Sequence, residues 1–419
     1  MAYIYRTPAG AGSSTVFTLS YWVKRCKLGV LQTLYSAGSA NKGQLVFDAE
    51  DQLKGVDDGA VVAETSRVFR DPAAWYHIVL AYDTGASGTD KVKIYVNGVQ
   101  ETAYATDNRS TAGSLNYVNA AEPQNIGADT SNPFYGEMSH VQMVDGAQLA
   151  PTEFGEVDAT SGIWKIKTTA YATPGTNGFY LKMEDRTNLD LDSSSNAFTW
   201  TTSGDLTATY DNPSNNFCTM NPLERMGGSS PTFSNGNNTY LQGGTSQYYP
   251  SAGTLGLSAG LWYWEGLFTS GNAALLGIAG DAAIATNMAG TVNNYLGWSS
   301  LQWALYVETG VYYTGTTGTS YGIAVAADDI IGFYLDLTAN KLYFAKNGTV
   351  MNSGTGISIT AAASTSAGYY TPSASYWGSN TTFKFNFGNG YFGTTAVTSA
   401  VADAGGIGAF EYDPSAGTF

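Results

Sequence analysis

A strict alternation of apolar side chains near residue 340 constrains this chain more than any other feature of its sequence. The alternating positions of its first segment are Ile331, Phe333, Leu335 and Leu337. Because successive side chains of an extended strand point to opposite sides, this spacing predicts a β-strand with one buried face. The alternation resumes at Leu342 and Phe344 after a short break, which predicts a second, antiparallel strand.

Two of the Asn-Gly dipeptides follow alternating segments and predict tight hairpin turns, one in each half of the chain. Asn347-Gly348 follows the second strand described above, and Asn97-Gly98 follows another alternating segment around Ile94. Asn and Gly tolerate the two positive φ values of a type I′ turn better than other residues do. A three-stranded meander is therefore expected near residue 340, and a similar hairpin near residue 97.

The order of parts in the second half resembles the SPRY domain family. An acidic start, an apolar strand ending in Leu-Asp-Leu, a short turn and a strand closing on Asn-Gly follow one another, and three flanking segments also match. Residues 261–268 resemble the early strand of the family, residues 295–300 a middle strand, and residues 383–392 the closing strand. The resemblance covers roughly residues 240–400. It implies a sandwich of two antiparallel sheets that recognises partners through the loops between strands.

The first half resembles a laminin-G-like or concanavalin-A-like lectin domain over roughly residues 13–185. The segments that carry this resemblance are the alternating strand at 16–25, the apolar strand at 73–84, the Asn97 hairpin and the strand at 134–146. The family fold is a jelly roll of two antiparallel sheets. Beyond the last strand, Pro151 with acidic residues nearby predicts one short helix.

The expected fold class is therefore all-β, with two tandem concanavalin-A-like antiparallel β-sandwiches (jelly rolls) joined by a connector rich in Asn, Ser and Gly. A chain of 419 residues exceeds the size at which one core usually keeps growing, which also favours two domains. The expected divisions are an N-terminal arm at 1–13 that could lie across a neighbour, a laminin-G/concanavalin-like sandwich at 14–185, the connector at 186–240, a SPRY-like sandwich at 241–400 and a C-terminal tail at 401–419.

Composition narrows the classes of partner. The chain has 34 acidic and 19 basic residues, so its field repels phosphate backbones and nucleic acid is not expected as a partner. No apolar run has the length that spans a bilayer, and the N-terminus lacks a basic flank followed by an apolar stretch, so neither membrane insertion nor a secretory signal is expected. Cys26 and Cys218 are interpreted as small buried thiols.

The functional hypothesis comes from a second resemblance. Five segments are similar to a module common in structural proteins of tailed bacteriophages, in which it precedes a SPRY domain: residues 134–146, 154–167, 175–185, 192–200 and 215–224. This implies a multimeric virion surface protein, on the tail or the capsid, that contacts other virion proteins and a host-surface glycan or protein. The preferred role is a tail-fibre or adhesin-like protein that binds glycan. A capsid decoration or head-fibre protein is the alternative, followed by a glycoside hydrolase and a bacterial adhesin.

Enzymatic activity is not expected. The two histidines, His77 and His140, lie in apolar strand patterns, which favours core or sheet-face positions, and no nucleophile elbow or phosphate loop is present. A glycosidase needs two carboxylates roughly 5 to 10 Å apart. Glu137 and Glu265 each lack an acidic neighbour on the same strand face.

Two sets of candidate binding residues remain. Calcium is a possible cofactor because acidic clusters offer hard oxygen ligands, although solvated turns are the commoner explanation for them. These acids are Asp48, Glu50, Asp51, Asp57, Asp58, Asp190 and Asp192. Sugar binding needs exposed aromatic rings, and we expect them in loops of the second domain. The aromatic candidates are Trp298, Trp303, Tyr312, Tyr313, Tyr376 and Trp377. Core packing is the alternative for each of them, but Tyr312 and Tyr313 are neighbours and cannot both face inward on a strand.

Overall fold

Antiparallel β-sheets make up both units into which the chain divides. The computed structural model describes residues 1–38, 43–115, 117–225, 231–242, 248, 250–271, 273–281, 294–376 and 381–416, without the side chains of 225 and 242. The first unit comprises Met1–Ala208 and Asn212–Asn216, and the second comprises Thr209–Asp211 and Phe217–Phe419. The all-β prediction is confirmed, and within the described residues all pairings of named strands are antiparallel.

The first unit is built from an eight-stranded and a six-stranded sheet. In chain order its strands are β1 (Tyr3–Arg6), β2 (Val16–Arg25), β3 (Gln32–Ala37), β4 (Gly43–Phe47), β5 (Gln52–Asp57), β6 (Ala60–Val68), β7 (Trp75–Asp83), β8 (Val92–Val96), β9 (Val99–Gln100), β10 (Tyr104–Asp107), β11 (Gln124–Ile126), β12 (Gly136–Asp145), β13 (Gly155–Val157), β14 (Trp164–Ile166), β15 (Phe179–Leu181) and β16 (Thr201–Ser203). The larger sheet has the order β10-β6-β5-β4-β3-β11-β1-β16, and the smaller has the order β15-β12-β2-β7-β8-β9. Strands β13 and β14 form a separate hairpin.

The second unit has a seven-stranded and an eight-stranded sheet. Its strands are β17 (Met220–Arg225), β18 (Thr232–Ser234), β19 (Thr239–Gln242), β20 (Ser251–Gly253), β21 (Leu261–Ser270), β22 (Ala274–Ala279), β23 (Gln302–Tyr306), β24 (Val311–Thr314), β25 (Thr317–Ser320), β26 (Ile330–Asp336), β27 (Lys341–Lys346), β28 (Thr349–Val350), β29 (Ile357–Ser358), β30 (Thr371–Tyr376), β31 (Thr381–Asn386), β32 (Tyr391–Phe392), β33 (Thr395–Ala396), β34 (Val401–Ala402) and β35 (Ala409–Phe410). The seven-stranded sheet has the order β17-β20-β30-β22-β23-β24-β25. The eight-stranded sheet has the order β18-β19-β31-β21-β26-β27-β28, with β29 paired to β27.

Helical structure in the described residues is limited to short 3-10 turns. They are Gly88–Lys91, Arg109–Thr111, Pro151–Glu153, Asn352–Gly354 and Ala362–Ser364. The predicted short helix at Pro151 is therefore a single turn of three residues, with proline at its start. Nowhere in the described part of the chain does a helix have the length and apolar character needed to cross a membrane.

The alternation near residue 340 gives the predicted meander. Strand β26 pairs with β27, and β27 pairs with β28. Ile331, Phe333 and Leu335 have no exposed surface and lie in the core between the two sheets, with Leu342 and Phe344 from the next strand. Burial of each such side chain stabilises the fold by about 1.5–3 kcal/mol. Periodicity alone therefore identified the strands and the buried face correctly.

Both Asn-Gly turns have the predicted backbone conformation. Asn97 and Gly98 have φ values of 49° and 81°, and Asn347 and Gly348 have values of 48° and 77°. Positive φ at both central positions is the signature of a type I′ turn, whose twist matches that of the flanking strands. These turns fix the registers of the β8–β9 and β27–β28 pairs.

The structure divides the chain differently from the sequence. The expected arm contains β1, which pairs with β11 and β16 because Ile4 is buried in the first core. Within the expected connector, residues up to 208 belong to the first unit, where Trp200 packs edge-on against Phe179 at 4.5 Å. The expected tail folds onto the second unit, with β35 paired to β34.

One predicted strand is a turn. Residues 295–300 form no ladder, and the corresponding strand of the sheet, β23, begins at Gln302. The cause is Gly297, whose φ of 100° interrupts an extended backbone. This turn lies over the outer face of the seven-stranded sheet, where it positions the candidate site.

Candidate functional site

The outer face of the seven-stranded sheet carries the best candidate site in the second unit. Leu276, Ile278, Trp303, Leu305 and Tyr312 point into the main core, so their chain neighbours point away from it. Those neighbours, together with Ala252 and Leu296, form a separate layer in which small or aliphatic residues are buried and tyrosines are half-buried. The buried residues are Ala252, Leu275, Ala279, Leu296 and Ala304.

Five aromatic side chains lie around this layer, and we call them the aromatic patch: Tyr248, Tyr295, Trp298, Tyr306 and Tyr313. Tyr295 is at their centre. Its ring centroid is 5.4 Å from that of Tyr248, 5.6 Å from that of Trp298 and 5.6 Å from that of Tyr313. Tyr306 packs edge-on against Tyr313 at 6.3 Å.

The turn at 295–298 is held in place by polar contacts with the sheet. The amide of Leu296 donates to Ser375 Oγ at 2.9 Å, and the amide of Gly297 donates to Gln302 Oε1 at 2.9 Å. A Cβ at Gly297 would lie 2.9 Å from Tyr313 Cβ, so glycine permits both the turn and the close approach of that tyrosine. The position of Trp298 is therefore fixed by buried hydrogen bonds, although 46% of its surface is exposed.

The edge of the patch is polar and acidic. Tyr306 OH donates a hydrogen bond to Glu308 Oε2, and Glu308 Oε1 accepts one from the amide of Ala273 at 3.0 Å. Burial, followed by this hydrogen bond and the charge of Glu308, raises the pKa of Tyr306 above its usual range. Burial also raises the pKa values of Tyr248 and Tyr295. The phenols therefore remain protonated near neutral pH and offer neutral hydroxyl groups beside one carboxylate.

The aromatic residues singled out from the sequence fall into three groups. Trp298 and Tyr313 belong to the patch. Trp303 and Tyr376 lie on strands, with exposures of 5% and 0%, so their placement in exposed loops is wrong and the alternative of core packing holds. Each faces the core because of its register: Trp303 stands opposite Ile278, and Tyr376 opposite Ala274.

Tyr312 and Tyr313 separate as neighbours on a strand must. Tyr312 packs against the main core and contacts Tyr321 edge-on at 5.9 Å, whereas Tyr313 joins the outer layer. The prediction that the two cannot both face inward is confirmed, but β24 is a strand rather than a loop. Trp377 lies outside the described residues.

The sequence reasoning missed three members of the patch. Tyr306 follows Ala304 at the spacing of two that places both on one strand face, and this signal was available in the sequence. Tyr295 was interpreted as part of a strand, and Tyr248 belongs to a polar segment without periodicity. The proximity of these two residues to Tyr313 depends on long-range packing.

Both histidines of the first unit are buried within its smaller sheet. Trp164 Nε1 donates to His77 Nδ1 at 2.9 Å, so Nε2 carries the proton and donates to Ser20 Oγ at 2.9 Å. Burial, together with the charge of His140, lowers the pKa of His77 to about 3. This is the satisfied, buried imidazole that the sequence predicted.

His140 contacts Ser139 and Glu184 in a chain of hydrogen-bonding groups. Ser139 Oγ is 2.6 Å from His140 Nδ1, and Glu184 Oε1 is 3.2 Å from His140 Nε2. Ser139 and His140 are each only 5% exposed, so a substrate has little access to the hydroxyl group. His140 has a φ of 51° at a register shift in β12, which explains why two consecutive side chains are buried there.

The two carboxylates considered for hydrolysis have other surroundings. Glu265 is fully buried and accepts hydrogen bonds from the amides of Glu411 and Tyr412, at 3.0 and 2.8 Å. A carboxylate held in this way is not available to a water molecule or a sugar. Glu137 stands opposite Lys24 in the β12–β2 pair.

The acids considered for calcium are mostly engaged by protein groups. Asp51 accepts from Arg25 NH2 at 3.0 Å and from Arg70 Nε at 2.9 Å, and Asp48 Oδ2 is 3.3 Å from Lys54 Nζ. Asp192 accepts main-chain hydrogen bonds from residues 180, 194 and 198. Asp57, Asp58 and Asp190 lie at turns or strand ends, and Glu50 is exposed in a turn. Over the described ranges, no three His, Cys, Asp or Glu side chains gather in a group suited to a metal ion.

Comparison with known families agrees with the architecture. Residues 3–152 match the concanavalin A-like lectin/glucanases superfamily, and residues 261–390 match the SPRY domain. The chain therefore contains a concanavalin A-like domain followed by a SPRY domain. The first description covers both lectins and glucanases, so it does not by itself separate sugar binding from hydrolysis. No curated protein sequence matches the chain.

Solved structures show low similarity. The SPRY domain of human HERC1 is 15% identical with a TM-score of 0.30, over 40% of this chain and 96% of that chain. A Bacteroides ovatus protein described as a "putative carbohydrate binding protein" is 20% identical with a TM-score of 0.34, over 48% of this chain and 56% of that chain. Stonustoxin is 18% identical with a TM-score of 0.31, over 40% of this chain and 27% of that chain.

Proposed function

We propose that this chain is a non-catalytic carbohydrate-binding protein and that the aromatic patch of its second sandwich holds the sugar. The observation that carries the proposal is the group of five aromatic rings that pack against one another on an outer sheet face and stay half-buried or exposed. Pyranose rings present C–H groups on their faces, and these pack against aromatic rings. Protonated tyrosine hydroxyls beside them can orient the sugar by hydrogen bonds.

The charge of the site favours an uncharged glycan. Glu308 lies at the edge of the patch, and the chain as a whole carries a formal charge of −15. Both features repel anionic polysaccharides such as those rich in uronic acids, because like charges raise the free energy of the encounter complex. The proposed ligand class is therefore a neutral polysaccharide.

We further propose that the protein is displayed on the surface of a tailed-phage particle, in a tail-fibre or adhesin-like role toward a host-surface glycan. The support is the sequence resemblance of residues 134–224 to a module of phage structural proteins. Repetition on a particle suits a shallow site, because many weak contacts acting together can exceed the affinity of each by about 10²–10⁴.

Antibody labelling of purified virions tests this role. Label on the tail supports it, label on the head supports a capsid decoration or head-fibre protein, and absence of label contradicts both.

The binding proposal is tested by screening the full chain against bacterial surface polysaccharides, with two matched tryptophan variants. Trp298 belongs to the patch and is 46% exposed, whereas Trp262 is 41% exposed on β21 of the other sheet. We expect Trp298→Ala to weaken binding of a neutral glycan roughly tenfold, about 1.4 kcal/mol, and Trp262→Ala to leave it unchanged. Equal binding by both variants would exclude the patch, and release of reducing sugar ends would favour the glycosidase instead.

A further inference from the structure

Residues 409–413 dock on the outer face of the eight-stranded sheet, and we call this segment the strap. Its main chain is held by the buried carboxylate of Glu265. Oε2 accepts from the amide of Glu411 at 3.0 Å, and Oε1 accepts from the amide of Tyr412 at 2.8 Å. One side chain therefore engages two consecutive peptide groups through both of its oxygens.

Two further side chains of the sheet contact the strap's main chain. Asn386 Nδ2 donates to the carbonyl oxygen of Ala409 at 2.9 Å, and Tyr334 OH donates to that of Asp413 at 3.0 Å. The strap is thus held at four peptide positions by groups that recognise backbone rather than side chains. Such recognition accepts any chain that presents the same backbone shape.

Side-chain requirements are concentrated at the strap's aromatic residues. Phe410 is 4% exposed and packs edge-on against Tyr263 at 4.9 Å. The ring of Tyr412 lies over Gly348, where an added Cβ would approach it to 2.6 Å. A segment with a small residue, an aromatic residue and a second aromatic two positions later therefore matches the site.

The hydrogen bonding of the Glu265 carboxylate depends on a segment docked in the site. It has no exposed surface, and its described hydrogen-bond donors are uncharged: the two strap amides, Asn386 Nδ2 at 3.1 Å and Tyr263 OH at 2.9 Å. Removal of the strap would take away two of these four donors, and a buried carboxylate without donors is strongly disfavoured. An empty site would therefore favour replacement of the lost segment by an equivalent one.

The stretch leading to the strap is far less buried than the strap itself. Residues 394–407 are exposed or half-buried, whereas Gly408, Ala409 and Phe410 are buried. Once β33 is released from β32, the seven residues 394–400, which precede the small β34–β35 hairpin, can extend over about 23 Å at roughly 3.3 Å per residue. A buried segment that follows an exposed stretch is the arrangement in which identical elements are exchanged between copies of a chain.

We infer that Glu265, Asn386, Tyr334 and Tyr263 form a main-chain recognition site for the strap that a second copy of this chain can fill. Within one molecule the tether gives the strap a high effective concentration, so the site fills in cis in dilute solution. Where copies are crowded together or the cis strap is impaired, the strap of a neighbour takes its place and links the two molecules.

Two complementary variants of the full chain test this inference. Glu265→Gln impairs the site, because its amide group cannot accept the second strap amide, and it leaves the strap intact. Glu411→Pro removes one strap amide, together with the hydrogen bonds that the Glu411 carboxylate accepts from the amide and hydroxyl group of Thr398, and it leaves the site intact. Phe410 is already in a strand, which a following proline tolerates. Circular dichroism and thermal unfolding establish that each variant is folded.

We expect each variant alone to sediment as wild type does in dilute solution. An equimolar mixture should form an additional 1:1 complex of the two variants, in which the intact strap of one fills the intact site of the other. A mixture that sediments as the sum of its separate components would overturn exchange between copies.

A peptide experiment on the wild-type chain keeps the inference testable if either variant fails to fold. A synthetic peptide with the sequence of residues 405–416, at concentrations above the millimolar effective concentration of a short tether, should displace the cis strap. We expect at least tenfold faster hydrogen exchange of the Glu411 and Tyr412 amides of the protein. The same peptide methylated at these two amide nitrogens should have no effect. Unchanged exchange with the unmethylated peptide would refute a site that accepts the segment in trans.

Discussion

Both sandwiches carry aromatic side chains on the outer face of a sheet, but the surroundings of these side chains differ. In the first, Trp22 stacks on His77 at 4.7 Å, and Trp164 from the β13–β14 hairpin continues the stack at 5.8 Å. The hairpin covers Trp22 and Trp75, which are 3% and 9% exposed. In the second, the turn at 295–298 leaves Trp298 46% exposed.

The difference lies in what the chain places over each face. Gly98 and Gly155 leave room for the Trp164 ring, since an added Cβ at either position would approach it to 2.7 Å or less. The first face is therefore closed by a hairpin fitted to it, and its aromatic rings serve stability. The second face ends in half-buried tyrosines and an exposed tryptophan, which suits a ligand. Four predictions test this contrast.

The largest loss of stability is expected when the pH is lowered, because His77 is buried in the closed face. The pKa of His77 is about 3 in the folded chain because of burial, against 6.5 for an ordinary histidine. The unfolded chain therefore binds a proton that the folded chain does not, and the stability present above pH 6.5 is lost as the pH falls toward 3. The loss approaches about 5 kcal/mol at 1.36 kcal/mol per pH unit.

Denaturant unfolding of the first sandwich at pH 7, 5 and 4 measures this loss. Both histidines of the chain are at positions 77 and 140, in the first unit, so the second sandwich lacks this source of acid sensitivity. His77→Gln is the control, and it should reduce the pH dependence between pH 6.5 and 4 but leave the part due to His140, whose pKa burial also lowers. An unchanged free energy of unfolding from pH 7 to pH 4 in the wild type would contradict the neutral, buried imidazole.

Removal of the ring that covers the closed face should lower the free energy of unfolding somewhat less than acidification does. Trp164→Ala removes the ring that stacks on His77 and leaves Nδ1 without its donor, with an expected loss of about 3 kcal/mol in the free energy of unfolding. Trp164→Phe keeps most of the ring packing and should lose about 1 kcal/mol. Urea unfolding measures both losses, and acrylamide quenching should show greater access to Trp22 in the alanine variant. Equal stability of the two variants would mean that the hairpin does not depend on this ring.

The corresponding change on the open face should barely affect stability. Trp298 is nearly half exposed, so we expect Trp298→Ala to lower the free energy of unfolding by less than about 1 kcal/mol. Thermal unfolding beside Trp164→Ala gives the comparison. A loss as large as that of Trp164→Ala would show that Trp298 is a structural residue and would remove the contrast.

The smallest effect concerns the acidic edge of the patch. Burial contributes most to the raised pKa of Tyr306, and Glu308 adds to it through a hydrogen bond and its charge. Glu308→Gln should therefore lower the pKa of Tyr306 toward its ordinary value while leaving the fold unchanged. Nuclear magnetic resonance of chains labelled at the tyrosine Cζ carbon follows this titration. A pKa unchanged by the substitution would mean that burial alone accounts for the shift.

The sequence predicted local structure much better than it predicted the site. Alternation fixed β26 and β27 and their buried faces, and Asn-Gly placed two turns, because both signals depend on a few adjacent residues. Strand Val16–Arg25 was also predicted correctly. These features need no knowledge of which strands become neighbours.

The location of the site depends on strand register and long-range pairing, which local sequence patterns do not contain. Trp303 and Trp298 look alike in sequence, but register places one opposite Ile278 in the core and a positive φ at Gly297 places the other on a turn. Likewise, β1 looked like a free arm because its pairing partners begin at Gln124 and Thr201. Which face of a strand is covered is decided by segments far away in the chain.

The central claim is that the open aromatic face of the second sandwich contacts a neutral glycan. Hydroxyl-radical footprinting of the full chain, with and without the best-binding neutral polysaccharide from the screen, tests it most directly. We predict that oxidation of Trp298 falls in the presence of the polysaccharide while oxidation of the similarly exposed Trp262 stays constant. Unchanged oxidation of Trp298 at a saturating polysaccharide concentration would contradict the claim.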